Sequence, residues 1–302
     1  MLTNSMLTRY LDGLREMRAR DPDLPLYRLL RRVLAWRLWQ LVGGRPVVAL
    51  HGRSRLRLEA RRSERGIPGA IYIYRDGFEP SVRHAIDRYV PSGACCYDIG
   101  ANLGLWTLRL AERVGPLGRV HAFEPMAANL RLLHESVALS GAGNIRVEPF
   151  ALGQNEGLAD LFVPEDVGRS SLAPESAGDS RQQVLVRRLD EVWVAHGRPQ
   201  VAFVKMDVEG AEPLVLAGGS SFFASVRPVT CCEINPRKLR NMGSTAEAVL
   251  APFAAWGYDA MAWDSCERAL HRFDPRTLSG DGLHDLVFVP RPRPSEREAN
   301  LN

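Results

Sequence analysis

Cys95-Cys96-Tyr97-Asp98-Ile99-Gly100-Ala101-Asn102-Leu103-Gly104 reads as a buried strand that runs into a glycine turn and then a helix. About twenty residues further on, His121-Ala122-Phe123-Glu124-Pro125 forms a second strand that ends in a carboxylate. Gly100 lets a ligand approach bare backbone, and Gly104 lets the following helix pack closely. A carboxylate closing the next strand can accept both hydroxyls of a ribose. Together these features describe a pocket for an adenosine-containing cofactor. Asn102 stands where a dinucleotide fingerprint carries its central glycine, and Asp98 places a negative charge beside the turn. Both features disfavour a pyrophosphate and suit a cationic ligand such as S-adenosylmethionine. Glu124 has a second reading as a cap for the helix after Pro125. Phe123 and Met126 are apolar candidates for the adenine walls.

Outward from this stretch the pattern alternates regularly. Strands are expected at 95–99, 119–123, 145–150, 201–207, 228–233, 258–263 and 284–290, with helices at 104–114, 126–139, 213–217 and 245–256. Such alternation means an α/β fold with a mostly parallel sheet covered on both faces. Ahead of it, 46–50 and 53–60 read as a hairpin around Gly52, 70–74 as a short strand and 80–89 as a helix.

Val201-Ala-Phe-Val-Lys-Met-Asp-Val-Glu-Gly-Ala-Glu212 is the second strong signal. A buried strand delivers Lys205, Asp207, Glu209 and Glu212 to the carboxyl edge of the sheet, where open α/β sheets bind ligands. Lys205 is one of two lysines in a chain with 37 arginines. Asp207 or Glu209 is the expected general base, with Lys205 as its electrostatic partner. The alternative is a structural salt bridge at a helix start, with Pro213 in the first turn. Glu233 closes the next strand and either joins the cleft or caps the strand end. Arg169, Ser170 and Ser171 lie in a long insertion, the kind of loop that shapes a substrate pocket. The alternative to a base is a divalent cation, held by the acidic group, that acidifies the hydroxyl, but nothing in the sequence fixes metal-ligand geometry, so no metal is expected.

Asp98-Ile-Gly-Ala-Asn-Leu-Gly104, Phe123-Glu-Pro125, Ala151-Leu152-Gly153 and Lys205-Met-Asp-Val-Glu-Gly-Ala-Glu212 resemble the FkbM-type methyltransferases. Phe78-Glu79, Ser170-Ser171-Leu172, Arg188-Leu189-Asp190, Arg227-Pro228 and Glu233 extend the likeness, which spans about residues 46–265. Gly153-Gln154-Asn155 departs from it, since the family often carries an acidic residue after Ala-Leu-Ser. The resemblance implies a Rossmann-like class I methyltransferase with a seven-stranded sheet. It implies S-adenosylmethionine as cofactor and O-methylation of a sugar, glycan or natural product. It implies cofactor contacts from Asp98, Gly100, Asn102, Gly104, Glu124, Pro125, Ala151 and Asp207. Acceptor contacts would come from Glu79, Arg169, Ser170, Ser171, Glu212 and Glu233. The alternatives are a nicotinamide-dependent oxidoreductase on a related fold and a non-catalytic, membrane-associated scaffold.

The chain has 302 residues and a net charge of +4. Residues 1–66 hold 15 arginines against six acidic residues, a net of +9, which leaves −5 for the rest. The expected division is a basic extension over 1–66, a methyltransferase domain over 67–290 and a disordered tail over 291–302. Residues 5–20 read as a marginal polar helix. A second helix over 26–41 carries Leu26, Leu29, Leu30, Val33, Leu34, Leu38 and Leu41 at helical spacing, with Trp36 and Trp39. This stripe either lies at a membrane interface or packs on the catalytic domain or on a second subunit of a homodimer. Internal packing is the expected outcome. Arg28, Arg31, Arg32 and Arg37 break the one apolar run long enough to consider as a membrane span. Five cysteines in no disulfide or zinc spacing point to buried small hydrophobes in a reducing, cytoplasmic setting. Nucleic acid is not an expected partner.

Overall fold

The computed structural model describes residues 24–60, 66–163, 180–264, 266–277 and 282–293. In chain order the elements are α1 (Leu26–Val42), β1 (Val47–Ala49), β2 (Arg55–Arg57), α2 (Ile67–Tyr74), α3 (Pro80–Tyr89), β3 (Cys95–Ile99), α4 (Leu105–Val114), β4 (Arg119–Phe123), α5 (Ala127–Ser140), β5 (Ile145–Glu148), β6 (Ala151–Leu152), β7 (Gly157–Val163), β8 (Ser180–Arg187), α6 (Leu189–Ala195), β9 (Val201–Met206), α7 (Glu212–Gly218), α8 (Ser220–Val226), β10 (Val229–Ile234), α9 (Pro236–Asn241), α10 (Glu247–Ala255), β11 (Tyr258–Asp264), β12 (Ala269–Arg272) and β13 (His284–Pro290).

The main sheet runs β12-β11-β13-β10-β9-β3-β4-β5. The pairs β10/β9, β9/β3, β3/β4 and β4/β5 are parallel. β13 inserts antiparallel between β10 and β11. The seven expected strands are all present, and the short β12 adds an eighth at one edge through a hairpin with β11. The order reverses between β3 and β9, the switch point at which such sheets open a crevice.

Both faces of the sheet are covered because most residues of its central strands are apolar. Tyr97, Ile99, Phe123, Val204 and Met206 meet Phe222, Phe223 and Phe253 on one face. Cys96, Val120, Phe203 and Cys231 meet Leu108, Trp106, Ile86 and Val82 on the other. Cys96, Cys231 and Cys232 are buried free thiols, in line with their reading as small core residues. Gly100 has φ +80°, and a Cβ there would sit 1.9 Å from the Asp207 carbonyl oxygen, so β3 and β9 meet the turn only because it lacks a side chain.

The hairpin at 46–60 forms as expected, with β1 and β2 antiparallel. Ser136 and Ser140 of α5 receive hydrogen bonds from Arg57 N and Arg55 N, both at 2.9 Å. Leu56 and Leu58 are buried in the same cluster as α4.

The expected strand at 70–74 is instead helix α2. Its β-branched and aromatic run suggests a strand, but Pro68 sits in the first helical turn, where a missing N–H costs nothing. Ile71, Ile73 and Tyr74 are then buried, with Ile73 and Tyr74 packed against Leu29 of α1. Tertiary burial overrides the local preference. In α1 the buried positions are Leu29, Trp36 and Gln40, so only a narrow edge of the expected stripe faces the rest of the chain. No described helix is long and apolar enough to cross a membrane. The expected helix at 5–20 and the tail beyond residue 293 lie outside the described residues.

Candidate active site

The turn after β3 is closed by its own backbone and by Glu124. Gly100 N and Ala101 N donate to the Phe123 carbonyl oxygen at 3.0 and 2.9 Å, and Gly104 N donates to Ala101 O at 2.9 Å. Asn102, with φ +52°, donates its N–H to Glu124 Oε2 at 2.7 Å. The other oxygen of Glu124 accepts from Met126 N at 2.9 Å and Asn129 Nδ2 at 3.4 Å. Of the five amides in residues 100–104, four therefore already have protein acceptors. The Glu124 backbone N–H is itself anchored on Glu148 O at 3.1 Å. Burial pushes the Glu124 carboxyl up to about 7, with the Met126 and Asn102 hydrogen bonds opposing. Since α5 begins only at Ala127, the bond to Met126 N falls ahead of the helix and is not a cap.

Glu124 opens onto a cleft of about 670 Å³, measured out to its mouth. Gly100, Asn102 and Pro125 form one side, and Phe123, Phe150, Ala151 and Leu161 supply apolar surface. Asp207, Val208 and Glu209 close the other side. The cleft thus combines an apolar end with three carboxylates.

The Lys205 Nζ lies 3.1 Å from Asp207 Oδ2 and 3.4 Å from Gly100 O. Parallel register sets Lys205 beside Asp98, so a buried lysine faces a buried carboxylate on the neighbouring strand. Burial works against the lysine's charge, but Asp207, Asp98 and Glu79 outweigh it and hold its pKa above the usual lysine value. Glu209, at φ +54°, pairs with Lys238 Nζ at 3.3 Å.

A family profile described as a methyltransferase FkbM domain matches residues 98–260, which hold the glycine turn, Glu124, Lys205, Asp207 and Glu209. The chain belongs to the FkbM methyltransferase family. AmbE, an AMB antimetabolite synthetase of Pseudomonas aeruginosa, is 29% identical over 52% of this chain. The 31-O-demethyl-FK506 methyltransferase FkbM of Streptomyces tacrolimicus is 26% identical over 49% of this chain and 68% of its own length. The match spans 9% of AmbE, so this chain corresponds to a small part of that relative. An FkbM methyltransferase structure from Methylobacillus flagellatus KT aligns with a TM-score of 0.41 and 19% identity, covering 73% of this chain and 52% of that one.

Several FkbM-motif residues lie where the sequence places them. Gly100, Asn102, Glu124, Pro125, Ala151, Asp207 and Glu209 all line the cleft. Others do not. Asp98 is fully buried behind the turn, where its Oδ2 accepts from Thr107 Oγ1 at 2.5 Å and its Oδ1 has no partner among the described residues. The length of β3 is the reason: Asp98 is still inside the strand, one residue before the chain leaves the sheet. Gly104 meets Leu133 of α5. Met126 is buried under Leu161 and Val184, and Phe150 and Leu161 provide the apolar wall instead. Glu212 turns back into its own loop, where Oε1 accepts from Gly210 N at 3.1 Å and Val208 N at 3.3 Å. Burial raises the Glu212 carboxyl to about 7. Arg169, Ser170 and Ser171 lie outside the described residues.

Glu79 and Glu233 belong to a second group of carboxylates, both acted on by the charges of Asp207 and Asp285. Glu79 accepts from Trp106 Nε1 at 2.8 Å, and burial plus the charge of Asp285 push its carboxyl to about 8. Burial, with Asp207 and Asp285 adding, pushes Glu233 to about 11. Asp285, which accepts from Ser81 Oγ at 2.5 Å, completes the group and was not anticipated from sequence. Its only sequence signal is an acidic residue at the head of the last strand.

His121, Glu148 and His196 also converge, with one ligand-type atom from each within 4.8 Å of the others. Their hydrogen bonds account for the grouping. Glu148 Oε1 lies 3.4 Å from His121 Nδ1, 3.2 Å from His196 Nε2 and 2.7 Å from Arg146 Nε. An ionised carboxylate has no proton to give, so both imidazoles donate to it, and His196 Nδ1 accepts from the Tyr97 hydroxyl at 2.9 Å. The Arg146 guanidinium thus shares Glu148 Oε1 with both imidazoles.

Proposed function

We propose that this FkbM-family chain transfers a methyl group from S-adenosylmethionine to a hydroxyl oxygen of a sugar, glycan or natural-product acceptor. The observation that carries the choice of cofactor is the state of the turn amides. A phosphate-binding turn presents free N–H groups to the ligand. Here Gly100, Ala101, Asn102 and Gly104 direct theirs to protein oxygens, while Glu124, Asp207 and Glu209 surround the cleft. That donor and acceptor balance fits a cationic, phosphate-free adenosine compound and argues against a nicotinamide dinucleotide.

Glu124 would hold the ribose hydroxyls, since a carboxylate fixed by two backbone amides keeps lone pairs for further donors. Phe123, Phe150 and Leu161 would flank the adenine. When bound, S-adenosylmethionine supplies an electrophilic methyl group on a sulfonium. The chain's contribution is alignment, exclusion of water and acceptance of the hydroxyl proton. Asp207 is the proposed base, because it lies between the cleft and the second carboxylate group and is held by Lys205 at 3.1 Å. Glu79 and Glu233 are the proposed contacts for acceptor hydroxyls. A relative named as a methyltransferase of 31-O-demethyl-FK506 supports an oxygen acceptor.

The test is a calorimetric titration with S-adenosylmethionine, S-adenosylhomocysteine and NAD, followed by a radiolabelled methyl-transfer screen over polyols, glycans and glycolipids. Binding of the two adenosyl compounds and label in an oxygen-linked methyl group are expected. Binding of NAD alone overturns the reading.

A further inference from the structure

Helix α1 presents an apolar face that the rest of the described chain does not cover. Leu34, Leu38 and Leu41 follow one another at helical spacing and are 66%, 64% and 62% exposed. Leu26, Tyr27 and Val42 extend the same face along the helix, and Trp39 is exposed beside it. Seventeen residues at the helical rise make a strip about 25 Å long. Of the fourteen large hydrophobics that are exposed among the described residues, seven sit on this one helix and the rest are scattered. Scattered exposure is ordinary, whereas a contiguous apolar strip marks an interaction surface.

The opposite edge of α1 is firmly seated. Leu29 packs on Ile73 and Tyr74. Trp36 lies 5.3 Å from Tyr72, ring to ring, and Arg32 donates to Ile73 O at 2.7 Å. The exposed face is therefore held outward by packing.

Charge identifies the occupant. Residues 26–42 contain Arg28, Arg31, Arg32 and Arg37 and no acidic residue. Arg28, Arg31 and Arg37 are exposed around the leucines. A second copy docked face to face through α1 would bring arginines against arginines with no carboxylate on either helix. An anionic lipid surface meets both requirements at once. It accepts the leucines at acyl depth and the guanidinium groups at the headgroups, and Tyr27 and Trp39 suit the boundary between them. We infer that α1 docks this methyltransferase on an anionic membrane surface, lying in its plane.

The test uses the full chain and large vesicles of phosphatidylcholine, with or without about 30% phosphatidylglycerol. Co-sedimentation with the anionic vesicles alone is expected, and about 0.5 M salt should weaken it. The double substitution L34E/L38E places charges at solvent-facing positions that take no part in the core or the cleft. It should remove vesicle binding and leave the melting temperature unchanged. R31Q/R37Q should lower the partition coefficient about fivefold per arginine. Sedimentation velocity without lipid gives the competing outcomes. A wild-type dimer that L34E/L38E converts to monomer, with no vesicle binding, assigns the face to a second copy and overturns the inference. A monomer that ignores anionic vesicles overturns it as well.

Discussion

Glu233 on β10 stands directly opposite Asp285 on β13 in the antiparallel register. Like charges facing one another across a pair of strands are unfavourable, and burial adds to the penalty. Both carboxyls are pushed up, Glu233 to about 11, so the pair enters neutral solution holding a proton. In the unfolded chain Glu233 would titrate near 4.5. A carboxyl whose folded pKa is raised contributes stability that is complete below its unfolded value and is lost as pH rises towards its folded value. Glu79, raised to about 8, acts in the same direction. Stability should therefore decline from pH 4.5 upward through about 8. Glu233→Gln should remove part of that slope and stabilise the protein by about 1–3 kcal/mol at alkaline pH. Denaturant titrations at acid and alkaline pH measure this, and an unchanged slope in the variant would show that the pair is solvated.

Glu124 connects the turn after β3 to the segment leading into α5 through Asn102 N and Met126 N. Glu124→Gln keeps its size and loses the charge. It should weaken S-adenosylmethionine binding by roughly 1–3 kcal/mol if the carboxylate takes the ribose hydroxyls. Isothermal titration reads the effect. An affinity equal to wild type in a folded variant would make Glu124 a purely structural link.

Asp207→Asn tests the proposed base. The amide keeps a carbonyl oxygen for Lys205 but cannot take up a hydroxyl proton. Turnover should fall about 100-fold or more, with cofactor affinity nearly intact. Single-turnover methyl transfer at saturating donor separates the two effects, and full activity would move the proton acceptor elsewhere.

The parallel core was legible because its signals are local. Apolar runs of strand length, the glycines at 100 and 104, and acidic residues at strand ends can all be read within a few positions. The site was legible to the same depth. Asp207, Glu209 and Glu124 reach the cleft because the chain leaves the sheet at or just before them. Asp98 shows the limit, since one residue of strand length decides whether a carboxylate meets a ligand or Thr107. Asp285 could not be paired with Glu233 from sequence, because register across a long connection is set by packing. The run at 70–74 failed for a related reason: its residues suit a strand locally, and only contact with α1 makes them a helix. The three-stranded sheet of β6, β8 and β7 was missed, and with it Leu161, which β7 brings to the apolar end of the cleft.

Gly100→Ala probes the closest backbone approach in the site. A Cβ there would lie 1.9 Å from Asp207 O, and the residue has φ +80°. Neither the carbonyl nor the turn can yield without moving the cleft wall. A loss of about 2–4 kcal/mol is expected, read as a lower denaturation midpoint together with loss of cofactor binding. Wild-type stability would mean that the turn and the residues after β9 separate easily.

The His121–Glu148–His196 group behind the cleft gives the opposite pH dependence. Burial alone would raise Glu148, but hydrogen bonds from His121 and His196 and the charge of Arg146 hold it at about 2. A carboxylate with a depressed folded pKa contributes stability that is present above its unfolded value, near 4.5, and is lost as pH falls towards 2. This window lies below that of Glu233, so the two effects can be measured separately. Glu148→Gln should cost about 1–3 kcal/mol at neutral pH, because two buried imidazoles then share a neutral amide oxygen. It should also flatten the acid limb of the stability curve. The backbone bond from Glu124 N to the carbonyl oxygen of residue 148 is kept in this variant, so cofactor affinity should change little. Added zinc should leave the wild-type melting temperature unchanged if the hydrogen bonds and the Arg146 contact to Glu148 Oε1 are what hold the three residues together. A zinc-dependent rise that disappears in Glu148→Gln would instead make the three residues metal ligands.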